Sequence, residues 1–382
     1  MKALPGDDDA QALLAAVLRG IPARWPFTGE QAANAFLEAA ARHGVESLVA
    51  RQLRRGILSG APKTVEQTLA TAAVQHAIVE QRLAAELTSV VDALARAGIP
   101  SLLMKGAALA YTCYPHPCLR PRTDTDLVVR HEDAAAVWRV FEALGYEAPN
   151  MTRGDLLLHQ RSYEKTDRLG IRHLYDVHWK IAAPHAVANL MSWEELQANA
   201  VPVPALGTHA RAIGNVHALV TACVHRMAHH YGDASLIWLY DIHLLASRLD
   251  ANEWNRLLSV CEHAAAAAMC AHGLSEAHER FGTIAPADLL ETLRARGDDS
   301  ARRFGGGRMI DVLISDLKAL PDWRQRLQLV REHVLPPADY IRRLYGVRSP
   351  VLLPALYVLR AATGACKWLR PLTVRDRAHA SK

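Results

Sequence analysis

Residues 103–130 read LMKGAALAYTCYPHPCLRPRTDTDLVVR, and the reading of this stretch decides the rest. It opens on the end of an apolar run, Ile99 to Met104. It then passes through Lys105-Gly106 into a short helical pattern over Ala107 to Tyr114. It closes on Asp124 and Asp126, set one residue apart at the start of the apolar run Asp126 to Val129. Side chains alternate along a strand, so the two aspartates point to one side. Carboxylates that close repel each other unless a positive group lies between them. Asp also favours turns and strand entries, so the pair alone does not specify a function.

The texture on either side organises the chain. From Glu30 to Gly98 apolar residues return every three or four positions, and Thr64 with Gln67 offers a capping box for a long amphipathic helix ending at Gly98. His76 lies on that helix's apolar face and is expected at the edge of the core. Between Ile99 and Ile181, short apolar runs alternate with helical ones: strands at Ile99 to Met104, Asp126 to Val129 and Ile171 to Ile181, and a helix over Ala134 to Leu144 stopped by Gly145. From Trp193 onward the pattern is helical again. The expected division is therefore a helical region at 1–98, a sheet-bearing unit at 99–190 and a helical domain at 191–382. The fold class is α+β.

The last expected strand, HLYDVHWKI, sets Tyr175, Val177, Trp179 and Ile181 on one face and Leu174, Asp176, His178 and Lys180 on the other. Asp176 supplies a third carboxylate on a neighbouring strand. Three hard oxygen donors suit Mg²⁺, with Mn²⁺ as an alternative, in a two-ion arrangement beside substrate phosphates. Lys105 and Gly106 stand where a strand gives way to a helix, a place where backbone donors and an ammonium hold phosphate. The spacing is not that of a Walker A loop. Arg120 and Arg122 are candidates to contact a triphosphate, against ordinary ion pairing with Asp124 or Asp126. His178 is a candidate to orient an acceptor or take its proton.

A second cluster comprises His217, His225, His229, His230, Asp233, Asp241 and His243. His225 and His229 share a helix face but complete no known ligand motif. The expected role of His225, His229 or Asp241 is contact with base, ribose or acceptor from a helix opposite the sheet. Trp238 and Tyr240 either stack on a base or belong to the core. Ser162 and Tyr163 lack the surrounding pattern of a covalent nucleophile.

Composition narrows the classes. Lys and Arg (44) barely exceed Asp and Glu (39), so no specific nucleic-acid partner is expected. Six cysteines without a CxxC pair fit reduced thiols, and MKALPGDDDA is not a secretory signal, so a cytoplasmic location is expected. Val351 to Cys366 is too short and too interrupted for a bilayer span. It reads as a buried helix, with membrane-surface docking through this C-terminal helix as the alternative.

Four segments, LLMKGAALAYTCYP, LRPRTDTDLVVR, YDVHWKI and HRMAHHYGDASLIWLYDIHLL, occur in that order and resemble the uncharacterised bacterial nucleotidyltransferase family of the DNA polymerase β-like superfamily, the type found beside natural-product and exopolysaccharide genes. The resemblance implies a minimal palm, a short mixed sheet flanked by helices, with Asp124 and Asp126 as the metal pair and Asp176 as the third carboxylate. It also implies transfer of a nucleoside monophosphate from an NTP such as ATP to an unidentified acceptor, a peptide, glycan or small molecule. The superfamily's Gly-Gly or Gly-Ser step is here Lys105-Gly106-Ala107, without the serine. A nucleotide-binding partner protein without transfer activity, and transfer of a phosphoryl or glycosyl group, are the competing expectations.

Overall fold

The computed structural model describes residues 7–148, 159–182, 185–230, 232–233, 235–306, 308–347 and 349–369. The basic residues Arg370, Arg375 and Arg377 lie outside them. The N-terminal helices are α1 (Asp7–Leu18), α2 (Glu30–Arg42), α3 (Glu46–Arg54) and α4 (Lys63–Arg96), with two-residue strands β1 (Ala23–Arg24) and β2 (Leu58–Ser59) paired in parallel. α4 starts at Lys63 after Pro62, with no side-chain cap, so the expected Thr64–Gln67 box does not form: proline's fixed φ opens the helix one residue earlier. Its buried line, Val65, Leu69, Leu83, Leu87, Val90, Val91 and Leu94, follows the expected face, and His76 shares a 2.8 Å hydrogen bond with Ser47. Val79, expected on that face, is turned outward at 36% exposure.

The central sheet uses β3 (Leu102–Met104), β4 (Thr125–Val128), β5 (Gln160–Thr166), β6 (Arg172–His178), β7 (Val201–Pro202) and β8 (Arg211–Ala212), in the spatial order β5-β6-β4-β3-β8-β7. It is mixed. β3 runs antiparallel to β4, β4 parallel to β6, and β5 and β6 form a hairpin. Helix α5 (Lys105–Thr112) leaves the end of β3, and α6 (Ala134–Ala143) follows β4, ending before Gly145 at φ +79°. The helical part then runs through α7 (His185–Ala188), α8 (Trp193–Ala198), α9 (Asn215–Ala228), α10 (Leu236–Ala246), α11 (Ala251–Val260), α12 (Ala264–Phe281), α13 (Ala287–Arg296), α14 (Ser300–Gly306), α15 (Met309–Ala319), α16 (Trp323–Val334), α17 (Ala338–Leu344) and α18 (Leu353–Leu369).

The period-two pattern sorts the two faces of the sheet. Leu103, Leu127, Tyr175 and Val177 turn to one side and pack with Leu87, Val90, Val91 and Leu94 of α4 and Phe141 of α6. Leu102, Met104 and Val128 turn to the other side, into the core shared with α9, α10 and α12. Asp126 and His178 have the parity of Val128, so the polar face of the sheet looks toward α9, α10 and α12. The segment expected as a buried helix is not buried: Val351 and Val358 are 81% and 69% exposed. Among the described residues no helix is long and apolar enough to cross a membrane.

Candidate active site at the β3–α5 turn

Asp126 and Asp176 are register partners on the parallel strands β4 and β6, and Asp124 stands two residues before Asp126. The sheet therefore brings the three sequence-selected carboxylates to one end of one face. Asp126 is almost fully buried and accepts from Lys105 Nζ at 2.7 Å; His178 Nε2 lies 2.8 Å from the same oxygen, Oδ1. Burial opposes the charge on Asp126, yet Lys105 and His178 outweigh it and hold the carboxyl below the usual carboxylate range. Asp124 has no such partner. Burial, then the neighbouring Asp126 and Asp176, push it up to about 6 against the pull of Lys105. Asp176 accepts a short hydrogen bond from Ser162 Oγ across the β5–β6 hairpin, which gives that serine a positioning contact rather than a base beside it.

Lys105 is the residue through which this end of the sheet turns into α5. Its φ of +53° is the one positive value at a non-glycine among the described residues, a conformation that is strained for an L side chain by about 1 kcal/mol. The left-handed turn sends its ammonium back over the carboxylates. A lysine at a helix N-terminus opposes the helix dipole, and Asp126 offsets that here. Gly106 follows beside the Arg120 guanidinium, where a Cβ would make ordinary contact at 3.4 Å from Nη1.

Arg120 and Arg122 pair with carboxylates other than Asp124 and Asp126, although Arg122 Nη1 also donates to the Asp124 backbone carbonyl at 3.3 Å. Arg120 is buried and binds Asp241 of α10 through Nε, at 3.0 Å to both oxygens, and through Nη2 at 2.7 Å; Tyr114 OH donates to the same carboxylate at 2.6 Å. This network of buried charge ties the loop before β4 to α10. Arg122 binds Glu80 of α4 at 3.1 and 3.2 Å and also donates to Thr125 Oγ1, while Tyr111 OH donates to Glu80. Glu80 and Tyr111 escaped the sequence reading because each sits singly among apolar residues of its helix, and Tyr114 because it lies just past the end of α5.

The second cluster divides. His225, at the last turn of α9, and His229 and His230 just beyond it come to the carboxylate face of the sheet. Rings step from His178 to His159 (5.8 Å between centroids), to His229 (5.9 Å), to His225 (4.9 Å), and from His225 to His230 (4.6 Å). The Nε2 atoms of His225 and His230 are 3.0 Å apart, and Trp238 lies over His230 at 3.9 Å. Burial, then the Lys105 charge, hold His225 and His229 well below the ordinary imidazole value and His178 and His230 at about 4, so these rings are neutral near pH 7. His159 joins this wall although no sequence pattern marked it. His217 bonds Glu195 and His243 bonds Thr283, away from the site. Tyr240 packs against Tyr114 and Phe281 as core, and Tyr163 stacks on Phe141.

Asp124, Asp126 and Asp176 are donors of the kind a hard divalent cation such as Mg²⁺ or Mn²⁺ takes, and burial first, then the Asp126 and Asp176 charges, raise the proton affinity of Asp124. As the side chains stand, no three His, Cys, Asp or Glu among the described residues are gathered closely enough to hold an ion. Lys105 and His178 occupy Asp126, and Ser162 occupies Asp176. No curated protein matches the chain. The model of an uncharacterised nucleotidyltransferase family matches residues 29–282, from α2 through α12 and so across the whole central sheet, and the chain belongs to that family of transferases.

Proposed function

We propose that this protein moves a nucleoside monophosphate from an NTP to an acceptor hydroxyl, with release of pyrophosphate, in a Mg²⁺-dependent reaction. The observation that carries the reading is the register of β4 on β6, which sets Asp126 beside Asp176 with Asp124 at their edge under the Lys105 turn. Divalent cations held by Asp124, Asp126 and Asp176 would polarise the α-phosphate and lower the proton affinity of the attacking hydroxyl. Lys105, freed from Asp126, has the reach and charge to meet the triphosphate at the N-terminus of α5. Neutral His178 donates Nε2–H to Asp126, which leaves Nδ1 as an acceptor; that atom has no partner among the described residues and can orient the acceptor hydroxyl or receive its proton. The wall of His225, His229 and His230 lines the side where base, ribose or acceptor enters. The acceptor class is peptide, glycan or small molecule, as in natural-product assembly.

One observation favours a second reading, nucleotide binding without transfer. Lys105 neutralises Asp126 internally, so the acidic cluster does not need an ion to persist. Incubation with Mg²⁺ and each α-labelled NTP over an acceptor panel separates the two. Label transfer with pyrophosphate release supports the enzyme; saturable NTP binding with no pyrophosphate from any combination supports the binding protein. Mass analysis of the product excludes or establishes phosphoryl or glycosyl transfer.

A further inference from the structure

Residues 323–382 hold 12 of the 44 Lys and Arg but 3 of the 39 Asp and Glu, so the positive excess of the whole chain is concentrated there, and residues 1–322 carry more acid than base. Exposed apolar side chains gather in the same part. Of 17 large hydrophobic residues exposed among the described residues, 9 fall between Trp323 and Leu359. Scattered exposed leucines are ordinary; a concentration inside the most basic segment is not.

Helix α16 gives this a geometry. At 100° per residue, Trp323, Leu327, Val330 and Val334 fall on one narrow stripe, while Leu329 points to the opposite flank. The helix rests on the protein through Leu329, which is fully buried, and turns the stripe outward: Trp323 is 67%, Leu327 60% and Val334 48% exposed. Arg324 and Arg331 border the stripe on one side and Arg326 on the other, with the Arg324 guanidinium 5.7 Å from the Trp323 ring. Asp322 caps the helix by accepting from the Gln325 N–H, and Glu332 lies half a turn of the wheel from the stripe, at the edge of a groove that it lines with Trp323, Leu327 and Arg331. Beyond it, Val351, Leu352, Val358 and Leu359 form another exposed apolar run at the start of α18 and in the turn before it.

We propose that α16, together with the apolar run of residues 351–359, docks this protein on the surface of an anionic lipid bilayer. α16 is far too short to span, so it lies in the plane of the interface. Trp323, Leu327 and Val334 enter the boundary between headgroups and acyl chains, and Arg324 and Arg331 reach lipid phosphates beside them, while Arg326 on the other side is held on the Leu320 carbonyl. An interfacial tryptophan beside arginines of one sign is the complement of such a surface.

The test is co-sedimentation of the full chain with phosphatidylcholine vesicles made with or without phosphatidylglycerol, at low and high salt. The expected result is binding at least about tenfold stronger to the anionic vesicles, weakened by salt. The double substitution Trp323→Ser/Leu327→Gln should lower that binding about tenfold or more while leaving circular dichroism unchanged, because both side chains are exposed. Arg324→Gln/Arg331→Gln should lower it on anionic vesicles alone. Equal binding to neutral and anionic vesicles, or binding that survives Trp323→Ser/Leu327→Gln, overturns the proposal. So does absence of vesicle binding, including the case where light scattering shows a dimer that Trp323→Ser/Leu327→Gln dissociates, which would assign the stripe to a second copy.

Discussion

Asp124→Asn should stabilise the metal-free protein at pH 8 while abolishing transfer. In the fold, burial and the Asp126 and Asp176 charges raise Asp124 from an ordinary 3.8 to about 6. An acid with a raised folded pKa contributes stability that is fully present below pH 4 and lost as pH rises through 6, so at pH 8 the ionised wild type has lost it. A shift of that size corresponds to almost 3 kcal/mol, and partial exposure of the side chain reduces it to about 2 kcal/mol. Asparagine keeps the shape without the charge. The metal-free variant should therefore melt roughly 3 °C above wild type at pH 8, with the gap narrowing to about half at pH 5 and closing only below pH 4. Mg²⁺ with NTP should reverse the order, raising the melting temperature of wild type alone. Scanning calorimetry at both pH values, with and without Mg²⁺ and NTP, reads all four states. A variant no more stable than wild type at pH 8 would refute the repulsion argument, and full transfer activity in it would remove Asp124 from the metal set.

Lys105→Met breaks the buried pair with Asp126 and should destabilise the metal-free protein by about 3 kcal/mol, with Mn²⁺ restoring most of the loss by taking the ammonium's place; denaturant melts with and without Mn²⁺ measure both. Asp241→Ala leaves the Arg120 guanidinium buried and unpaired, which should cost about 3–5 kcal/mol in urea unfolding, whereas the paired replacement Arg120→Met/Asp241→Leu should cost far less. His178, His225, His229 and His230 are all held below the ordinary imidazole value, so the stability they contribute is present above pH 6.5 and lost as pH falls toward 4. Melting temperature should therefore fall between pH 7 and 5, and His225→Gln/His230→Gln should flatten that slope.

β3 is legible as a short apolar run buried on both faces, and the period-two pattern makes β4 and β6 legible because each sets apolar residues on one face and acids or a histidine on the other, which groups Asp124, Asp126, Asp176 and His178 together. β5 escaped it since Tyr163 is its one buried residue, and β7 and β8 are two residues each, too short to carry a period. The left-handed turn at Lys105 has no sequence mark, because only glycine announces such a conformation. The partners of Arg120 and Arg122 lie 121 and 42 residues away, so charge alone left nucleotide contact and ion pairing equally open. Convergence of His159 with His225, His229 and His230 depends on how α9 lies over the sheet, which no local pattern states. The C-terminal helix looked buried because its residues are apolar, and composition does not reveal which apolar face finds a partner.

The claim that Asp124, Asp126 and Asp176 form a divalent-cation site for an NTP is tested most directly by titrating Mn²⁺ into the protein with a non-hydrolysable NTP and following it by electron paramagnetic resonance. The account predicts Mn²⁺ held beyond what the free nucleotide binds, with loss of that signal in Asp126→Asn and a reduced count in Asp176→Asn. Mn²⁺ binding no greater than that of the nucleotide alone, or binding unchanged in both variants, would contradict it.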